Sequence, residues 1–196
     1  MLLPDGSGTG HRRTIWVLGA ITLIGMGGVG SVLIRNVQQR PLGRVVLGIG
    51  DFSEQLLFGS FLGIAFAAAG WYLLKRPRMS SVRLRYSDLL RPFIRHRADR
   101  IMIALCAGIG EELLFRGALQ YWLGVPITAL LFVAIHGYLD PRDKRLLLYG
   151  TYLTLFMVIV GYWAGWKGLL APMAAHAWFD LWLLERMAGD PSDRDH

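Results

Sequence analysis

The chain has 196 residues, of which 54% are hydrophobic and only 18% charged, with a net charge of +7 and a mean hydropathy of +0.40. That balance is too apolar for a soluble domain of this size and indicates an integral membrane protein. A nucleic-acid partner is excluded as the reason for the charge, because the basic residues gather between apolar runs, where topology accounts for them.

Residues 1–13 form a polar N-terminal segment ending in His11, Arg12 and Arg13, and Thr14 to Ile34 then runs apolar until Arg35. This first run has the length of a span and no clear small-residue cleavage site before charge resumes, so it is expected to be a retained span rather than a cleaved signal. After a connection through Gln38, Gln39, Arg40, Pro41 and Arg44, Asp51 followed by Glu54 predicts the start of a second span that reaches Leu74. Within it Gly59, Gly63 and Ala67 put a small residue at every fourth position, the pattern of closely packed helices. Segment 14–74 is therefore expected to hold two membrane helices.

Segment 75–100 carries nine basic residues (Lys75, Arg76, Arg78, Arg83, Arg85, Arg91, Arg95, Arg97 and Arg100) against Asp88 and Asp99, which places it in the cytoplasm by the positive-inside rule. Between Val82 and Arg97 apolar and basic residues alternate. Two readings stand equally: a helix lying on the anionic inner leaflet, or a charged loop. A four-helix catalytic core is expected over 101–186: Ile101 to Leu123, ending at Gly124 and Pro126; a short helix from Pro126 to about Leu139, with too few residues to cross ~30 Å of hydrocarbon; Leu146 to about Trp163; and Leu169 to Leu184. Residues 187–196 are a polar tail. The expected fold is an all-α polytopic membrane bundle of about six transmembrane helices, one of them short, with both termini in the cytoplasm.

Six ionisable groups inside these spans require a reason, because charge at such depth is costly and defaults to a functional site. Glu111 lies 11 residues past Arg100, or ~16 Å of helix; His136 lies ten past Pro126, ~15 Å; His176 lies eight past Gly168, ~12 Å. The three converge at one level, in a cavity expected to be reachable by water from the cytoplasmic side. Around the helix Arg116 is about 40° from Glu112 and about 140° from Glu111. Glu112 is thus the salt-bridged partner and Glu111 the free carboxylate, suited to be a general base because an apolar cavity strips it of solvent. On the last helix His176 and Asp180 share a face, so an imidazole N–H can meet an oxyanion while Asp180 orients the ring.

Glu111-Glu112-x-x-x-Arg116, then Phe132-x-x-x-His136, then His176-x-x-x-Asp180, on successive membrane helices, resembles the CAAX prenyl protease and bacteriocin-processing family of glutamate-dependent intramembrane endopeptidases. The resemblance covers roughly residues 99–186. It implies that Glu111 and His136 activate a water for attack on a peptide carbonyl, that His176 and the residue at 180 form the oxyanion site, and that Glu112, Arg116 and Phe132 support the motif helix. The prenyl proteases carry Asn where this chain has Asp180, and an ionised carboxylate has no proton to donate; Asp180 is therefore either protonated or a positioning group for His176. A prenylated substrate does not follow. The implied partners are the bilayer and a membrane-associated peptide or protein, in a bacterial inner membrane, with no cofactor and no metal.

Other protease chemistries fit the text less well. There is no His-Glu-x-x-His, no serine between Asp88 and Pro191, and Gly48-Ile49-Gly50-Asp51 reads as a loop and helix start rather than an aspartyl protease motif. Cys106, the sole cysteine, lies about 140° around the helix from Glu111 and so does not face it. Two alternatives stay open: a metal-dependent membrane hydrolase using Glu111, His136 and His176 as ligands, or a non-enzymatic scaffold or proton-coupled transporter using the buried acid as a relay.

Overall fold

A computed structural model of the chain describes residues 8–189; the first seven residues and residues 190–196 of the polar tail lie outside the described part. The described residues form helices joined by short connections, without strands, in a membrane helix bundle. Helix α1 (residues 8–37) is continuous and includes two π-helical stretches, Ile21–Met26 and Leu33–Val37. A short α2 (Leu42–Leu47) leads through Gly48 and Gly50 to α3 (Phe52–Leu74). Asp51 caps α3 by accepting from the backbone N–H groups of Ser53 and Glu54, as the sequence predicts. The Ser53 hydroxyl, then these backbone bonds, hold the Asp51 carboxyl below its ordinary range.

The basic segment is mostly helical: α4 (Ser80–Leu90) follows a 3-10 turn at Pro77–Met79. Its buried residues are Val82 and Ser87, so its apolar side is turned onto the bundle, and the open choice between loop and surface helix resolves as a helix that covers one end of the fold. The stretch Arg97–Ile135 is long and apolar enough for a span, but Gly124 breaks it with a left-handed φ of 72°. It is therefore two helices, α5 (residues 97–123) and α6 (residues 125–135), divided at the Gly124 and Pro126 boundary that the sequence marks. Helix α7 (Lys144–Lys167) is capped by Asp143, and α8 (Leu170–Ala188) follows the turn at Gly168.

All six expected spans are helices. Four helical stretches meet the length and hydropathy of a membrane crossing, namely α1, α3, the α5–α6 stretch and α7; α8 carries His176, Asp180, Glu185 and Arg186, which lower its hydropathy.

The small residues of α3 do what their spacing predicts. A side chain at Gly59 or Gly63 would run into the backbone of Ala171 or Ala175 on α8, so these glycines let the two backbones touch. On the other side of α8, Gly108 of α5 meets Met173 and Ala177, and Gly110 meets the backbone of α1 at Thr22 and Leu23. The helix bearing the glutamates is thus wedged between α1 and α8 by its own glycines. At one end of the bundle the Gly48 loop pairs with the α7–α8 turn, Ile49 N–H to Lys167 C=O at 3.1 Å. The opposite end gathers the basic segment, the 137–143 connection and the end of α8, with Arg145 Nη1 bonded to Ser81 Oγ at 3.1 Å. There Asp99, buried in the first turn of α5, takes Trp16 Nε1 at 2.8 Å and Arg12 Nε at 3.2 Å from α1.

Candidate active site

The core next to the basic end holds a cavity of about 310 Å³. Its inner wall carries Glu111, His136, His176 and Asp180; Val82, Tyr86 and Leu90 of α4 close the outer side. The three elements expected to meet at one depth do so. Glu111 Oε2 is 3.7 Å from His136 Nε2 and 4.0 Å from His176 Nε2, and this oxygen is buried with no hydrogen-bond partner. Glu111 thus faces the two imidazoles without a hydrogen bond at this oxygen and without an arginine partner.

Glu112 points the other way. It is fully buried and sits 3.4 Å from Arg116 Nε, one turn on, the pairing expected from the spacing. It also accepts a hydrogen bond from His176 Nδ1 at 2.9 Å. This second contact corrects the expected geometry: the short bond that fixes the His176 ring comes from Glu112, while Asp180 faces the other ring nitrogen, Nε2, at 3.5 Å. Sequence spacing exposes contacts within a helix, such as His176 with Asp180, but not a bond between residues 64 apart on two helices. The chain after Glu112 is π-helical, Leu113–Leu119, a widened turn of the kind that recurs at functional sites. Arg116 lies inside it, with Nη2 against Met157 Sδ of α7.

His136 sits just past the end of α6 rather than within it. The helix stops at Ile135 because Gly137 takes a left-handed φ of 79°, about four residues before the end expected at Leu139. His136 Nδ1 donates to the Phe132 carbonyl at 2.7 Å, which leaves Nε2 facing Glu111 as the acceptor nitrogen. Phe132 is the packing centre of the site. Its ring lies 4.5 Å from that of His136, 5.6 Å from His176 and 4.9 Å from Phe115, with the Arg116 guanidinium over its face at 4.6 Å.

Some wall residues were not visible in the sequence. Tyr138 and Tyr149 line the cavity beside Asp180, with Tyr86 of α4 joining them; the rings of Tyr86 and Tyr138 are 4.9 Å apart and those of Tyr138 and Tyr149 5.6 Å. Uncharged side chains in apolar runs give no signal of their own. Cys106 is buried and lies 3.6 Å from Met102 Sδ; it is not among the cavity residues. Among the described residues no group of three His, Cys, Asp or Glu side chains is arranged to hold a metal ion.

The fold and this wall define a class: an integral membrane helix bundle with a carboxylate and two imidazoles at the inner end of an apolar cavity. The family described as type II CAAX prenyl endopeptidase Rce1-like matches residues 95–182, a segment that includes Glu111, Glu112, Arg116, Phe132, His136, His176 and Asp180. Over this segment, somewhat under half of its length, the chain is similar to that endopeptidase family, the one its ordered motifs resemble. No curated protein and no solved structure matches the chain.

Proposed function

We propose that this chain is an intramembrane endopeptidase that hydrolyses a peptide bond of a membrane-associated protein or peptide, using a water activated by Glu111 and His136. The observation that carries the reading is the unpartnered Glu111 oxygen between two imidazole Nε2 atoms at the wall of an apolar cavity.

A water held between Glu111 Oε2 and His136 Nε2 gives up a proton to this pair as its oxygen attacks the scissile carbonyl. The carbonyl oxygen becomes an oxyanion beside His176 Nε2. Because Nδ1–H is committed to Glu112, donation from Nε2 requires the imidazolium. Glu112 at one end of the ring and Asp180 at the other are the counter-charges that this form needs. Asp180 is then a positioning residue for a charged ring, which accounts for a carboxylate where the family pattern has an amide. As the C–N bond breaks, the proton taken from water passes to the leaving amine. Glu112, Arg116 and Phe132 hold the ring and the motif helix. The catalytic unit is 101–186, with 14–74 forming the wall behind it.

The basic end of the bundle, which also bears the first turn of α1 and the end of α8, is assigned to the cytoplasm, so that both termini lie inside a bacterial inner membrane and the cavity opens toward that side. A metal-dependent alternative would need these same donors, two imidazoles and a carboxylate, as ligands, although no group of three such side chains is arranged for a metal among the described residues. The two are separated by cleavage of a membrane-anchored peptide library in liposomes containing the purified protein. The glutamate mechanism predicts products that persist after chelator treatment; loss with chelator and recovery with zinc would establish the metal instead, and no cleavage of any member would favour a non-enzymatic role.

A further inference from the structure

A second pocket, of about 460 Å³, lies at the basic end of the bundle, lined by Arg91, Ile94, Arg95, Arg100, Glu185, Ala188 and Gly189. It shares Ile94 with the catalytic cavity but none of that cavity's charged residues, and has its own polar construction. Arg100 is only 9% exposed. Its Nη1 bonds the carbonyls of Ile94 and Arg95, at 2.7 and 3.3 Å, and its Nη2 bonds Glu185 at 3.0 Å, but its Nε is buried without an acceptor. Glu185 Oε1 is likewise buried without a hydrogen bond, with Arg97 Nε at 3.4 Å. The pocket wall therefore combines a buried guanidinium whose Nε has no acceptor with a carboxylate ion-paired to Arg97 and Arg100, and its lining has three arginines against one glutamate.

We propose that this pocket binds the phosphate diester of a phospholipid whose headgroup also carries a hydroxyl or ammonium donor. Phosphate oxygens take the guanidinium N–H groups of Arg95 and Arg100, and the headgroup donor meets Glu185. The position fits a lipid. The pocket lies at the first turn of α5 and the last turn of α8, where hydrocarbon gives way to headgroups. Ile101 and Leu105, next along α5, are exposed, 37% and 49%, as a surface for acyl chains. Free phosphate offers the same anion without that apolar surface. Basic pockets between membrane helices bind anionic headgroups by this chemistry.

The test is native mass spectrometry of the purified full chain titrated with phosphatidylglycerol, phosphatidylcholine or inorganic phosphate. The wild type is expected to bind phosphatidylglycerol about tenfold more tightly than phosphatidylcholine, which lacks a donor, and Arg95→Gln, which removes a phosphate contact, to bind both lipids less tightly. Arg95 is exposed, so its variant should melt at the wild-type temperature in lipid-free detergent. Arg78→Gln, with the same change of charge at an exposed position outside the pocket, is expected to bind as the wild type does. Equal binding of the two lipids, an Arg95→Gln titration that matches wild type, or an equal loss in Arg78→Gln would overturn the proposal. Displacement of phosphatidylglycerol by inorganic phosphate at matching concentration would overturn the assignment to a lipid.

Discussion

Adjacent glutamates on one helix end in different environments because successive helical residues point about 100° apart. Glu112 is directed into protein, where Arg116 and His176 share its charge; Glu111 is directed into the cavity, where nothing bonds its Oε2. The same logic separates the two ends of His176, one held by Glu112 and one facing Asp180. If Asp180 acts only by stabilising and orienting that ring, Asp180→Asn should keep a measurable fraction of proteolysis and His176→Ala should keep none, with both proteins folded by circular dichroism. An active His176→Ala alongside an inactive Asp180→Asn would reverse these roles. The angular part of this account was legible in the sequence, since the Glu112 to Arg116 spacing is local. The Glu112 to His176 bond was not, because it depends on how α5 and α8 pack and no spacing encodes it.

At the scale of the elements, the site is placed by helix contacts close enough to require glycine. Ala175, the neighbour of His176, packs its backbone on Gly63, and a Cβ there would meet the Ala175 carbonyl. Gly63→Val is expected to cost about 1–3 kcal/mol by overpacking, and to lower activity by displacing His176. Gly43→Val, at a position with nothing within 4 Å of an added Cβ, serves as the control. Melting curves and proteolysis of the two variants check this, and equal behaviour would show that the α3–α8 contact does not position the ring. The small-residue repeat that signals this contact, the Asp51 cap and the break at Gly124 could all be read from the chain, being local backbone chemistry. The early end of α6 was harder to read. His136 lies past the helix because Gly137 turns left-handed, and a glycine in an apolar run is also compatible with continued helix. The placement of α4 was undetermined for a different reason: an amphipathic helix has one apolar face, and lipid and protein core both satisfy it.

For the whole molecule, alternating helices put the basic residues of 75–100, the 137–143 connection and the end of α8 at one end, and the Gly48 loop with the α7–α8 turn at the other. Because Cys106 is the sole cysteine and is buried, single exposed cysteines report sidedness cleanly. In intact cells Gly43→Cys should react with an impermeant maleimide, and Ser81→Cys only after permeabilisation; the opposite pattern would invert the proposed topology. The bundle and the order of its motifs were legible because apolar length and buried charge are strong signals in a membrane protein. Its cavity was not, since the tyrosines and aliphatic residues that shape it look like any other part of a span.

The claim on which the account depends is that Glu111 does the chemistry while Glu112 holds the site together. The most direct test compares Glu111→Gln with Glu112→Gln in liposomes on a substrate peptide that the wild type cleaves, alongside thermal unfolding of each. Glu111→Gln should abolish cleavage and unfold near the wild-type temperature. Glu112→Gln should lose stability, on the order of the 3–5 kcal/mol that breaking a buried ion pair costs. Cleavage by Glu111→Gln at the wild-type rate would contradict the account.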